Sequence, residues 1–191
     1  MRLLSIDPSL RGTGFAVLEE FGTKIRCLEY GVIKNPPQIS VPDSLLAIHN
    51  RLLVVISQHR PTVIVLESVI YVQSYSTAIV LGAARGVVLL IAAQHGFPIH
   101  EYPPRRVKQA VVGYGGALKN QVAFMVRALL ELRETPPSDA ADAMAIGLTH
   151  LRTPSVPLTK KRKSEKTNSW KNFIETKTQA DAATGRRIPF C

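Results

Sequence analysis

The chain has 191 residues, 46% of them hydrophobic and 20% charged, and its 24 Lys and Arg against 14 Asp and Glu leave a net charge of +10. This size and composition fit one domain with an extension and exclude wholesale disorder. Two cysteines, Cys27 and Cys191, make neither a disulfide framework nor a zinc site, and no uninterrupted apolar run exceeds the seven residues Val87 to Ala93, so no transmembrane helix is expected.

Leu3 to Ile6 is a short apolar run that reads as a buried strand ending in Asp7. Pro8 to Gly14 reads as a tight turn, followed by strands over about 15–20 and 25–33 in a meander. Leu45, Ile48, Leu52, Val55 and Ile56 recur at helical steps, which predicts a helix over 43–59 with Asp43 as its N-cap. Val63 to Leu66 is another buried strand, ending in Glu67. A helix over 77–94, a strand over 97–102 and helices over 105–112, 119–131 and 139–151 follow, the last with Ser138 as its cap. The order is that of a mixed α/β layered domain.

After Leu151 the periodicity stops. Residues 1–150 hold 14 basic and 11 acidic residues, whereas 151–191 hold 10 and 3. The division expected is a domain over 1–152 and a basic, disordered tail over 153–191. Trp170, Phe173 and Ile174 stand out in that tail as a short docking segment. A basic chain points to a polyanionic partner, most commonly nucleic acid. An acid at position 7 leaves no room for a signal-peptide core, so the expected compartment is the cytoplasm.

Four acids stand where acids are costly. Asp7 and Glu67 each end an apolar strand. Asp139 and Asp142 lie three apart in a helix otherwise made of Ala, Met, Ile, Gly and Leu, and so share one face. An acid early in a helix also compensates its dipole, and Asp7 before Pro8 also suits a turn. If the four converge they need a cation, and without a Cys/His cluster that cation is a hard, oxygen-ligated one, Mg²⁺ or Mn²⁺.

Six segments together resemble the RuvC family of Holliday-junction endonucleases: Ile6 to Gly14, Leu66-Glu67, Leu81 to Gly86, Val107 to Gly113, Lys119 to Val122 and Ser138 to Ala143. The resemblance covers roughly residues 1–151. It implies the RNase H-like fold, a mixed five-stranded sheet flanked by helices. It implies that Asp7, Glu67, Asp139 and Asp142 bind metal, two ions per subunit, and that Lys108 and Lys119 face the scissile phosphate. Four-way junction DNA, a homodimer and the RuvA–RuvB branch-migration complex are the partners it implies. DNA contacts are expected from Ile70, Tyr71, Arg105, Lys108 and Lys119. Where the family commonly carries a stacking aromatic this chain has Ile70, so either Tyr71 stacks or Ile70 wedges.

Gly82 and Gly86 form a small-residue stripe with Ala78, open to packing on the sheet or to a dimer contact. Three other readings compete. An actin-like ATP-binding domain shares the Gly-rich loop after a strand-end Asp, but the chain is too short for the second domain it needs. A non-catalytic binding module would not need the complete set of acids. Another RNase H-like nuclease is set against the Lys108 and Lys119 segments.

Overall fold

The computed structural model describes residues 1–68 and 74–153. The expectations for Ile70, Tyr71, Trp170, Phe173 and Ile174, and for the basic segment after Thr153, lie outside the described residues. The elements run β1 (Arg2–Asp7), β2 (Gly12–Phe21), β3 (Lys24–Lys34), α1 (Val41–His59), β4 (Val63–Glu67), α2 (Tyr75–His95), β5 (Ile99–Tyr102), α3 (Pro104–Val112), α4 (Lys119–Leu129) and α5 (Ser138–Arg152). They form one five-stranded sheet in the order β3-β2-β1-β4-β5. The β1–β2–β3 meander is antiparallel, whereas β4 pairs in parallel with both β1 and β5.

Side chains alternate across this sheet with period two. Leu4, Ile6, Ile64 and Leu66 face α1 and α2, where they meet Ile48, Leu52, Val88 and Ile91. Leu3, Val63 and Val65 face the other way, toward Val107, Val126, Met144 and Ile146 of α3, α4 and α5. Asp7 and Glu67 continue the second series. Strand parity therefore turns both acids to the α5 side, at the ends where two parallel strands stop together.

Several boundaries differ from expectation for local reasons. β2 starts at Gly12, inside the segment expected to be a turn, and Thr13 closes the short turn before it by donating to the Ser9 carbonyl at 2.6 Å. The cap of α1 is Ser40, not Asp43. Its hydroxyl accepts from the Asp43 N–H at 3.2 Å and donates to the Asp43 carboxylate at 2.6 Å, so the helix starts two residues earlier, at Val41. Ser74 likewise caps α2 through the Thr77 N–H, so α2 starts at Tyr75. β5 begins only at Ile99, because Pro98 lends its carbonyl to Ile64 but has no N–H of its own. α4 stops at Leu129, and Glu131 turns the chain with φ 52°. Ser138 is already helical and caps nothing with its side chain, while Pro137 holds the cap position.

Two apolar helices are placed very differently. α5 buries every residue from Ala143 to Thr149. It reaches the sheet through two bare backbones: a Cβ on Gly14 would lie 1.9 Å from the Asp139 carbonyl oxygen, and one on Gly147 would lie 2.7 Å from Ser5 Oγ. α2 buries only Ala84, Val88, Ile91 and Ala92, and leaves Ile79 73% and Leu90 55% exposed. By length and composition alone α2 is apolar enough to cross a membrane. This corrects the expectation drawn from uninterrupted runs: Gly82, Arg85 and Gly86 break the run without lowering its average much. Among the described residues nothing lies within 4 Å of a Cβ built on Gly82 or Gly86, so their stripe faces away from the sheet.

Candidate active site

The four acids meet at one end of the sheet. Ile6 pairs with Leu66, which brings Asp7 and Glu67 level on adjacent strands. Asp7 is in step with Gly14 of β2. Because Gly14 has no side chain, the first turn of α5 rests on β2, and this carries Asp139 to the site. A Cβ on Gly12 would touch the Asp139 carboxylate at 2.7 Å, so a second bare position leaves that carboxylate its room. Asp139 alone lies in the first turn of α5. Asp142 sits a turn further in, beyond the strongest reach of the helix dipole, so dipole compensation does not account for it.

The cost of this convergence falls on the strand-end acids. Burial, and then the charges of Asp142 and Glu67, push the Asp7 carboxyl up to about 7. Glu67 is pushed up as well, first by burial and then by Asp142, with Lys119 and Lys108 opposing. Both lysines therefore act on the site, Lys108 from α3 and Lys119 from the first residue of α4. Gln121 fixes that helix start by accepting from the Leu118 N–H at 2.8 Å. Lys119 Nζ donates to Asp142 Oδ2 at 2.8 Å, and this bond raises the lysine's own pKa. Arg105 stands apart, exposed at the start of α3 with its stem packed on Gly115.

Among the described residues no three carboxylates are gathered as closely as one ion would hold them. Asp142 is engaged instead by the Lys119 ammonium. The donor set nonetheless suits a hard divalent cation. It is all carboxylate oxygen, and Asp7 is raised first by burial and then by the neighbouring carboxylates.

A strand-end acid pair joined by two helix acids on a mixed sheet of this order defines an RNase H-like nuclease domain. The family model described as crossover junction endodeoxyribonuclease RuvC matches residues 3–150. A crossover junction endodeoxyribonuclease RuvC from Akkermansia muciniphila is 54% identical over 151 residues, covering 79% of this chain and 90% of the relative. One from Halothermothrix orenii is 43% identical, covering 78% and 92%. The Thermus thermophilus RuvC bound to a Holliday junction superposes with a TM-score of 0.74 at 39% identity, over 79% of this chain and 93% of that one. The yeast mitochondrial Holliday junction resolvase Ydc2, at 15% identity and a TM-score of 0.54, shares the fold. The chain belongs to the RuvC family, whose nucleases depend on metal ions.

Reading the sequence missed three participants. Gly12 and Gly14 looked like turn residues, although two glycines flanking a threonine beside a strand also signal close backbone approach. Arg85 falls in the family-like segment Leu81 to Gly86 but received no role, because its partners come from two strands distant in sequence.

Proposed function

We propose that Asp7, Glu67, Asp139 and Asp142 are the metal-binding tetrad with which this enzyme hydrolyses one phosphodiester in each of two strands of a four-way DNA junction. The observation that carries the reading is the parity that turns Asp7 and Glu67 to the side where α5 delivers Asp139 and Asp142. The cations we assign are Mg²⁺ or Mn²⁺, two per subunit, held by these four carboxylates, and the chemistry they would supply is activation of the attacking water and charge stabilisation of the leaving 3′ oxygen.

The chain's own residues do the rest. Lys119 is 72% exposed, so its ammonium can turn from Asp142 to a phosphate. Lys108, already felt at Glu67, adds a second positive charge where charge develops on the phosphoryl oxygens. Arg105, on the same helix as Lys108, reads as a backbone contact that holds the duplex arm without touching the chemistry. We read the exposed stripe of α2 as the homodimer face, because two strands of like polarity must be cut symmetrically and a two-fold dimer presents two equal sites. α2 is tied to the domain by Ala84, Val88, Ile91 and Ala92, which suits a protein contact better than a membrane. The domain over 1–152, the basic tail, the cytoplasm and the branch-migration complex complete the reading.

The test is to incubate the protein with an immobile four-way junction and Mg²⁺, with linear duplex and Asp7→Asn as controls. Paired symmetric nicks in the junction, absent with duplex and with the Asn variant, are expected. ATP hydrolysis without nicking would instead favour the actin-like alternative.

A further inference from the structure

Arg85 lies on α2 with its side chain only 17% exposed, and its guanidinium is shared between two acceptors on two strands. Nη1 donates to the backbone carbonyl of Glu67 at 3.2 Å, and Nη2 bonds Glu101 Oε1 on β5 at 2.5 Å. The first bond falls where the sheet has none to offer. Ile64 and Ser68 donate to the carbonyls of Pro98 and Tyr102, so the even residues of β4 turn their backbone groups to β5. Alternation turns Val65 and Glu67 to β1 instead. Glu67 is level with Asp7, and the next rung would need the N–H of residue 8, which is Pro8 and has none.

We infer that Arg85 is a positioning residue for Glu67: it supplies the hydrogen bond that Pro8 cannot, and the ion pair with Glu101 holds the guanidinium in place to do so. The two bonds need the rigid fork of Arg, since one ammonium on a single stem does not span both acceptors in the same geometry. A peptide plane left loose at the end of β4 would tilt and carry the Glu67 carboxylate with it. A misplacement of this kind, about 1 Å, costs on the order of a hundredfold in rate. The inference rests on the proposed role of Glu67.

The test uses the full chain with Arg85→Ala, Arg85→Lys and Glu101→Gln. Single-turnover cleavage of the junction at saturating protein is measured beside junction Kd and melting temperature. Arg85→Ala is expected to slow cleavage about 30-fold or more with Kd within about threefold, a loss confined to the chemical step. Arg85→Lys is expected to recover part of that loss, and Glu101→Gln, which keeps the carbonyl bond, to lose less than Arg85→Ala. An unchanged rate in a folded Arg85→Ala protein would overturn the inference. So would a rate loss matched by the loss in Kd, or a Lys variant indistinguishable from either wild type or Ala. If Arg85→Ala does not fold, the Lys and Gln variants decide by the same criteria. Wild type is assayed in parallel: if it leaves the junction intact, the proposed function fails rather than the role of Arg85.

Discussion

α2 and α5 are both rich in Ala, Leu, Ile and Gly, yet one leaves an apolar stripe in solvent and the other is almost wholly enclosed. Composition does not separate them, but position does. α5 crosses the middle of the sheet, touches all five strands and is flanked by α3 and α4. α2 packs on one face beside α1 and has no further layer over it among the described residues. Glycine marks both helices with opposite meaning. The glycines around α5 are filled by neighbours, at Gly14 and Gly147, whereas those on α2 face open space. An apolar helix whose glycines are enclosed belongs to the core, whereas the open glycines of α2 are what the proposed dimer face rests on.

The largest effect should come from filling the close approach of α5 to β2. Gly14→Ala puts a methyl group inside the Asp139 backbone, and the helix must shift. Destabilisation of about 3 kcal/mol, the upper end of overpacking costs, is expected in urea melts, together with loss of cleavage. Gly82→Ala meets nothing, and should leave the monomer as stable or up to about 1 kcal/mol more stable through helix propensity. Equal destabilisation by the two variants would erase the distinction between the helices.

The second effect belongs to the acids that α5 helps to crowd. Asp7 has its pKa raised from 3.8 unfolded to about 7 folded. Between those values the folded state holds the proton more tightly, so metal-free stability falls as pH rises from about 4 to 7 and levels off above. Asp7→Asn should flatten that decline, and metal-free melting temperatures across the range should show the variant gaining on wild type toward pH 8. A variant that loses stability in parallel with wild type would mean that the crowding costs the fold nothing. In contrast, Leu90→Glu on α2 should change monomer stability by less than about 0.5 kcal/mol, as exposed substitutions do, while sedimentation should show the proposed dimer dissociating. A dimer that survives Leu90→Glu would place its interface elsewhere.

The smallest effect on chemistry should come from ending the chain after Thr153. Cleavage at saturating protein should barely change, because every assigned acid and lysine precedes that point. Affinity should fall for duplex and junction alike. The slope of log K against log salt should flatten by about 0.9 for each phosphate that the tail no longer neutralises. An unchanged slope would count against the polycation reading of the tail.

The fold was legible wherever periodicity is strong. The three-strand meander, the α1 stripe and the existence of β4 follow from runs such as Val63 to Leu66 and the spacing of Ile48, Leu52 and Val55, whereas the parallel pairing of β4 does not. The four acids were legible as residues, because each interrupts or ends an apolar element. Their meeting was legible only through the family resemblance, since no local pattern states that β1, β4 and α5 share one end of a sheet. Boundaries set by side-chain caps were misread by two or three residues at Ser40 and Ser74, where a hydroxyl upstream of the apolar stripe starts the helix. Gly14 was misread because its neighbour is a backbone 125 residues away. The apolar length of α2 was underestimated because two glycines and one arginine interrupt it, and that arginine turned out to serve another strand.

The order of the elements along the chain also sets when a working enzyme can exist. Asp7 leaves the ribosome near the start of synthesis and Asp142 near the end of the domain, and α5 is the last of the described elements to be made. Until it docks on Gly14 and Gly147, half the carboxylates are missing from the site and the central sheet lacks its cover. On the proposed assignment of the acids, a chain that stops short of α5 holds only half of the tetrad and would leave DNA uncut.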